Sequence, residues 1–337
     1  MLIPLPPLLA LLAILAKRAA RVAPPTAALV APGACQLTEA WTPARLVARR
    51  RHSRSDAGDS WLLTFALPDA DKPLGLSTCA CVLARARCAV APGGGGGDGG
   101  EEAGEGEEDE EEMVVRPYTP VSTNRLRGRF VLLVRAYPRG RLSRRLGRLR
   151  VGESVEFAHA PANVKIQAPF GRPRALALLA GGTGVAPMLQ ALHAVLGEAA
   201  AGGGGAGGGG GADGGGAPPC EVTLLYGSRH RGDILLRRQL DAWARRYGGT
   251  FKLVHVLSDE PPRSRWRGAR GMIDRALIAA HCAPAIDPRT GAPAADVKVF
   301  VCGPPPMYAA LCGARDDPEV SGVLAEMGYT SEQVVKF

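Results

Sequence analysis

The chain reads as a β plus α/β protein, an antiparallel β-barrel domain over residues 39–168 followed by a parallel α/β domain over residues 169–337. Three observations predict this. Short segments rich in Val, Leu and Thr, with turn signals about every ten residues, fill the first half, as in barrels and sandwiches. The run Ala175-Leu176-Ala177-Leu178-Leu179-Ala180 is continuously apolar, as strands buried on both faces are. After it, strand and helix patterns alternate, which indicates a parallel sheet with crossover helices.

Residues 1–38 contain no acidic residue, and residues 2–16 are apolar, followed by Lys17, Arg18 and Arg21. Fifteen apolar residues, with Pro4, Pro6 and Pro7 among them, fall short of the about 20 that a spanning helix needs. The charges follow the apolar run, opposite to a secretory signal. A short membrane anchor, with association through residues 1–22, and an organelle leader both stand open. The Arg-bearing, acid-free character leans toward a mitochondrial leader, although Ser is missing from it. Either way, residues 1–38 are expected to stand apart from the fold.

In the barrel, strands are expected at 45–48 and 60–67, broken by Pro68, Pro73 and Gly75. Residues 93–112 are glycine followed by acid, with ten acidic residues and no Lys or Arg. Such a segment cannot bury a core and predicts a disordered insertion between two strands. Strands at 114–116, 130–137 and 154–157, with a short helix at 142–149, complete the domain. In the α/β domain a Gly-rich turn leads to a helix at 188–196. Residues 199–219, nearly all Gly and Ala, predict a second disordered insertion. Strands at 222–226, 251–257 and 297–301 then alternate with helices at 234–247, 274–280 and 307–311.

The net charge of +9 conceals an asymmetry: without residues 93–112, 22 acidic residues stand against 41 basic ones, leaving about +19. Such a body attracts acidic partners. Nucleic acid is not expected, because the Arg are thinly spread and aromatics are 5%. The eight cysteines form no C-x-x-C pair and match no zinc or iron–sulfur spacing. Cys79 and Cys81 read as small buried residues sharing one strand face. His159, His193, His230, His255 and His281 lack metal-ligand spacing, so no metal is expected.

Chemistry concentrates in four places. Arg116-Pro117-Tyr118-Thr119-Pro120 puts a cation, an aromatic ring and a hydroxyl on one strand, a set that suits a flavin. Gly140-Arg141-Leu142-Ser143 adds a glycine for close backbone approach to phosphate and a hydroxyl donor. Gly181-Gly182-Thr183-Gly184-Val185-Ala186-Pro187 lies between strand and helix, where helix N–H groups can meet phosphate, and Pro187 suits the first helical position. A plain tight turn is the equal alternative for those glycines. Asp233, which opens the helix after strand 222–226, reads as an N-cap and also as an acceptor for an adenine ribose 2′-hydroxyl. Arg229 and Arg231 nearby would instead welcome a 2′-phosphate. Cys302-Gly303-Pro304-Pro305-Pro306-Met307 follows an apolar strand and suits a rigid wall beside a nicotinamide.

In this order the motifs resemble the NADH–cytochrome b5 reductase family, within the ferredoxin-reductase-like flavoenzymes. The resemblance runs from Trp41 to Phe337 apart from the two insertions, and Asn163-Val164-Lys165-Ile166-Gln167 with the closing Lys336-Phe337 look most like its plant and algal mitochondrial branch. It implies a flavin-binding barrel and a Rossmann-like nucleotide-binding domain. By resemblance Arg116, Pro117, Tyr118 and Thr119 hold FAD, with Thr119 near the flavin N5. Arg135 and Tyr137 lie against the cofactor, and Gly140, Arg141, Leu142 and Ser143 cradle its pyrophosphate. Gly182, Thr183 and Gly184 approach flavin and nicotinamide, Asp233 reads the ribose, Cys302, Gly303, Pro304 and Met307 face the nicotinamide, and Phe337 closes the site. Thr119 and Cys302 are the catalytic candidates. The family commonly has Lys at Arg135, Met at Leu142 and Thr at Ala186; the last change removes a hydroxyl. The implied activity is hydride transfer from NADH to FAD, then single electrons to an acidic haem protein of the cytochrome b5 type. A nucleotide-binding scaffold without activity, and an NADPH-dependent ferredoxin-type reductase, are the alternatives.

Overall fold

The computed structural model describes residues 22–26, 34–56, 58–89, 111–200 and 220–337, with side chains left aside at 198–200. They divide into two units, one within residues 30–165 and one of residues 166–337 joined by 22–26. Residues 1–21 and most of both insertions lie outside the described part. Among the described residues no helix is long and apolar enough to cross a membrane.

The first unit is a six-stranded antiparallel sheet. Its strands are β1 (Thr42–Ser53), β2 (Ser60–Ala66), β3 (Val82–Ala89), β4 (Glu111–Tyr118), β5 (Arg129–Arg135) and β6 (Ser154–Ala158), in the order β4-β3-β6-β1-β2-β5. Helix α1 (Arg141–Arg148) follows β5. The sheet is rolled. β6 and β5 are three places apart, about 14 Å in a flat sheet. Yet the rings of Phe157 and Phe130 meet edge to face at 5.1 Å, with Phe65 of β2 4.9 Å from Phe157. These three rings, all fully buried, fill the barrel core with Leu46, Leu63 and Leu132.

The second unit is a six-stranded parallel sheet of order β10-β9-β8-β7-β11-β12. Its strands are β7 (Ala175–Gly181), β8 (Glu221–Ser228), β9 (Phe251–Leu257), β10 (Ala269–Arg270), β11 (Val297–Cys302) and β12 (Val334–Lys336). The helices are α2 (Val185–Ala200), α3 (Arg237–Arg246), α4 (Arg275–His281), α5 (Pro305–Leu311) and α6 (Gly322–Glu326). The chain winds outward from β7 through β8 to β10, then returns to place β11 on the other side of β7. The order therefore reverses beside β7, and ligands bind such sheets in the crevice at the strands' carboxyl ends there.

Several expectations need correction. Leu37 is 1% exposed in the barrel core and Gln36 donates its Nε2 to Pro73 O at 2.7 Å, so residues 34–38 belong to the fold. Residues 22–26 lie on the α/β unit: Thr26 N donates to His193 Nδ1 and Trp243 Nε1 to Ala23 O, both at 3.0 Å. Glu111 and Glu112, taken as part of the first insertion, begin β4, because β3 offers them backbone partners at Ala89 and Cys88. The second insertion starts later than expected, since α2 runs through residue 200. Cys79 and Cys81 precede β3 rather than share a strand face; Cys79 takes φ +64 in a tight turn.

Candidate functional site

The flavin-side residues gather on β4 and at the start of α1. Along β4 the pleat sends Val114, Arg116 and Tyr118 to one face. Val114 is buried, Tyr118 packs half-buried against the barrel core, and Arg116 is exposed. Burial pushes the Tyr118 phenol well above its usual range, so the ring stays neutral. Pro117 is tolerated because β4 is an edge strand. Thr119 follows, half-buried.

α1 opens at Gly140, which supplies no side-chain cap, so the first-turn N–H groups have no cap acceptor. A Cβ on Gly140 would lie 2.1 Å from Ser143 Oγ, and this hydroxyl is buried with no partner among the described residues. A hydroxyl and a helix N-terminus thus share the space the glycine leaves, the donor set that an anionic phosphate completes. The neighbours are placed otherwise than expected. Leu142 is 2% exposed in the core, which leaves only its backbone to meet a ligand. Arg141 turns to Glu112 Oε2 at 2.7 Å and to Cys88 O at 3.2 Å, so its guanidinium is shared with the end of the acidic tract. Arg135 is buried, its Nε donating to Ser60 Oγ at 3.3 Å, whereas Tyr137 is exposed.

On the nucleotide side, β7 passes through a 3-10 turn at Gly182–Gly184 into α2. Pro187 is therefore the third helical residue, still within the turn where a missing N–H costs nothing. Three of the glycines serve packing between turns. A Cβ on Gly184 would lie 2.1 Å from Cys302 O, one on Gly181 2.8 Å from Met307 Sδ, and one on Gly303 2.4 Å from the same sulfur. The register of β7 with β11 brings these turns edge to edge, Ala180 opposite Cys302. Only Gly182, at φ +54 with nothing within 4 Å of its missing Cβ, leaves open space toward a ligand. Half-buried Thr183 and Cys302 flank that opening, and Pro304 caps α5.

Asp233 corrects another expectation. The helix begins at Arg237 after Leu236 at φ +56, so Asp233 does not cap it. It ends a short 3-10 turn and accepts from His230 N at 3.3 Å, with 2% exposure. Phe337 is 9% exposed, its ring 5.3 Å from Phe300, which stands 5.2 Å from Phe170. Lys336 is also buried and donates to three carbonyls, Ala314, Asp317 and Glu319, so β12 is anchored beside β11.

One residue missed by the sequence reading joins the two turns of this unit. Tyr226 Oη donates to Gly182 O at 2.9 Å and accepts from Leu235 N at 3.3 Å, tying the glycine turn to the loop after β8. A polar-tipped residue closing an otherwise aliphatic buried strand was the available signal.

Two family profiles match: Oxidoreductase FAD-binding domain over residues 107–165, and Oxidoreductase NAD-binding domain over residues 178–313. The NADH-cytochrome b5 reductase 2 of Yarrowia lipolytica is 33% identical over 282 residues, covering 82% of this chain and 79% of that protein. The NADH-cytochrome b5 reductase 2 of Aspergillus niger is 33% identical over 228 residues, covering 66% of this chain but 62% of that protein, under two thirds of its length. Among solved structures, the cytochrome b5 reductase domain of Ulva prolifera nitrate reductase aligns with TM-score 0.63 at 24% identity, covering 92% of this chain and 99% of that one. At that identity the likeness supports the fold.

Proposed function

Because the chain belongs to the NADH–cytochrome b5 reductase family, we propose that it is an FAD-dependent NADH oxidoreductase delivering electrons to a cytochrome b5. The observation that carries this reading within the molecule is the buried Ser143 Oγ at the uncapped start of α1, which has no partner among the described residues. A buried hydroxyl without a partner is costly unless something absent from the chain completes it, and a diphosphate does so. Arg116 supplies the cation for the same group, and Tyr118 and Thr119 present a neutral ring and a hydroxyl on the strand beside it.

Bound FAD supplies hydride acceptance and one-electron release, while the protein supplies binding, orientation and electrostatics. In the α/β unit the open Gly182 and the N-terminus of α2 accept a dinucleotide phosphate. Cys302, fixed by the Gly184 contact, forms a wall for the nicotinamide. Aligning the two rings requires no general base, and no metal is invoked. The basic body, about +19 outside the acidic tract, favours an acidic haem protein as acceptor by steering its approach. A mitochondrial location, and kinship with the plant and algal branch, rest on the sequence features of residues 1–21, 163–167 and 336–337.

The deciding experiment is an anaerobic titration of the full chain followed by visible absorbance. A yellow protein that NADH bleaches, and that then reduces a soluble cytochrome b5, is the expected result. A chain that binds no flavin, or whose flavin NADH leaves oxidised, would overturn the proposal in favour of a scaffold. Import of a fusion to residues 1–38 into isolated mitochondria tests the location.

A further inference from the structure

We propose that Tyr226 is a positioning residue for the dinucleotide: its buried hydroxyl sets the Gly182–Thr183 peptide, and with it the shape of the turn that receives NADH in the reading above, on which this role rests. The glycine turn cannot hold that shape alone. Gly181 and Gly184 are wedged against Met307 and Cys302, but Gly182 has nothing within 4 Å of its missing Cβ. Glycine takes positive and negative φ about equally, so the peptide after Gly182 is free to rotate unless something grips it. Tyr226 is placed to do so. The register of β7 with β8 sets Tyr226 beside Ala180, two residues before Gly182. Its Oη donates to Gly182 O at 2.9 Å, and Val185 N donates to the same carbonyl. A carbonyl and the N–H that follows it share one plane and point opposite ways. Gripping Gly182 O therefore turns the Thr183 N–H away from Tyr226 and fixes the backbone on which the Thr183 side chain stands.

The phenol is itself held from two sides. Leu235 N donates to Oη at 3.3 Å, which leaves the hydroxyl hydrogen for Gly182 O. Leu235 is fully buried in the chain that leads into α3. On the next strand His255 lies opposite Tyr226, its ring 6.0 Å away. That ring is anchored in turn, His255 Nε2 standing 2.8 Å from Asp241 Oδ1 on α3. Leu235 N–H, Tyr226 O–H and Gly182 O thus form a hydrogen-bonded chain in a dry interior, where successive bonds strengthen one another. One oxygen joins the turn after β7 to the loop after β8. Phenylalanine would fill the same space and keep the ring contact, but it would free the Gly182 carbonyl from the sheet and leave the buried Leu235 N–H without this acceptor.

The test is Tyr226→Phe, with Tyr329→Phe as the control. Tyr329 is also buried in this unit, and its Oη donates to Ala283 O at 2.5 Å, so each variant removes one buried hydroxyl that bonds a backbone oxygen. Both should lower the melting temperature by a similar few degrees. Only Tyr226→Phe should reach the ligand. Calorimetric binding of NAD+ to the oxidised protein, which needs no turnover, should weaken about fivefold. The apparent Kd for NADH in stopped-flow flavin reduction should rise equally, while the limiting rate changes less than about twofold, as when an interaction is held alike in ground and transition states. A weakening above about threefold in both binding readouts, absent from Tyr329→Phe, carries the proposal. A smaller change, an equal change in Tyr329→Phe, or a loss confined to the limiting rate overturns it and leaves the hydroxyl a tie between loops. A wild-type protein whose flavin NADH leaves oxidised would overturn the reductase reading instead, and NAD+ calorimetry would still report on Tyr226.

Discussion

Substituting Gly184→Ala tests the interlocked turns directly. The added methyl would lie 2.1 Å from Cys302 O and 2.5 Å from Cys302 C, about an ångström inside a normal contact. The obstacle is backbone at the end of β11 and cannot rotate away. Relief requires β11 to part from β7 where Ala180 faces Cys302. Overpacking of this kind costs typically 1–3 kcal/mol, and a backbone obstacle puts the expected loss at about 3 kcal/mol. For a unit of this size about 2–4 °C accompanies each kcal/mol, so the α/β transition should fall by roughly 6–12 °C in scanning calorimetry. KM for NADH should rise with it, because Cys302 is displaced. Flavin content should hold, since Arg116 and Ser143 belong to the other unit. Gly182→Ala is the control: φ is +54 but the space is open, so only the left-handed strain of about 1–2 kcal/mol applies. A Gly184→Ala protein that melts no lower than Gly182→Ala, with unchanged KM, would refute the interlock.

Two further outcomes follow from single atoms. Ser143→Ala should stabilise the flavin-free protein by about 1 kcal/mol, by removing an orphaned buried hydroxyl, yet weaken FAD binding about tenfold, which urea unfolding and flavin titration measure separately; a loss of both would show that the hydroxyl has a structural partner. Burial lowers the His193 pKa from 6.5 to about 4, so the native ring stays neutral while the unfolded ring protonates. Stability is therefore complete above pH 6.5 and lost as pH falls from there toward 4. Between pH 7 and pH 5 the wild type should lose about 2 kcal/mol more than His193→Gln in urea unfolding. Parallel pH profiles would mean that the ring is not sealed beneath residues 22–26.

The fold class is legible in local pattern before any contact forms. The Val- and Leu-rich run at 130–134 and the unbroken apolar run at 175–180 are local patterns whose composition matches the strands they form. Arg116 to Thr119, Gly140 to Ser143 and the Cys302 run stand out as site candidates through residue type and spacing, without reference to neighbours in space. What tertiary structure decided were meetings between distant segments. Gly184 needs to be glycine because strand register sets Cys302 O against it. Glu112 leaves the acidic tract because β3 pairs with it and Arg141 awaits it, 29 residues on. Residues 22–26, which read as part of a detached leader, are held by His193 and Trp243, 167 and 220 residues away along their bonds. Asp233 turns inward because the helix starts only after Leu236 has taken a left-handed conformation. Propensity and pattern act over a few residues; which side chain faces which across a sheet is fixed by strand order and register, and these exist only once the whole core has formed.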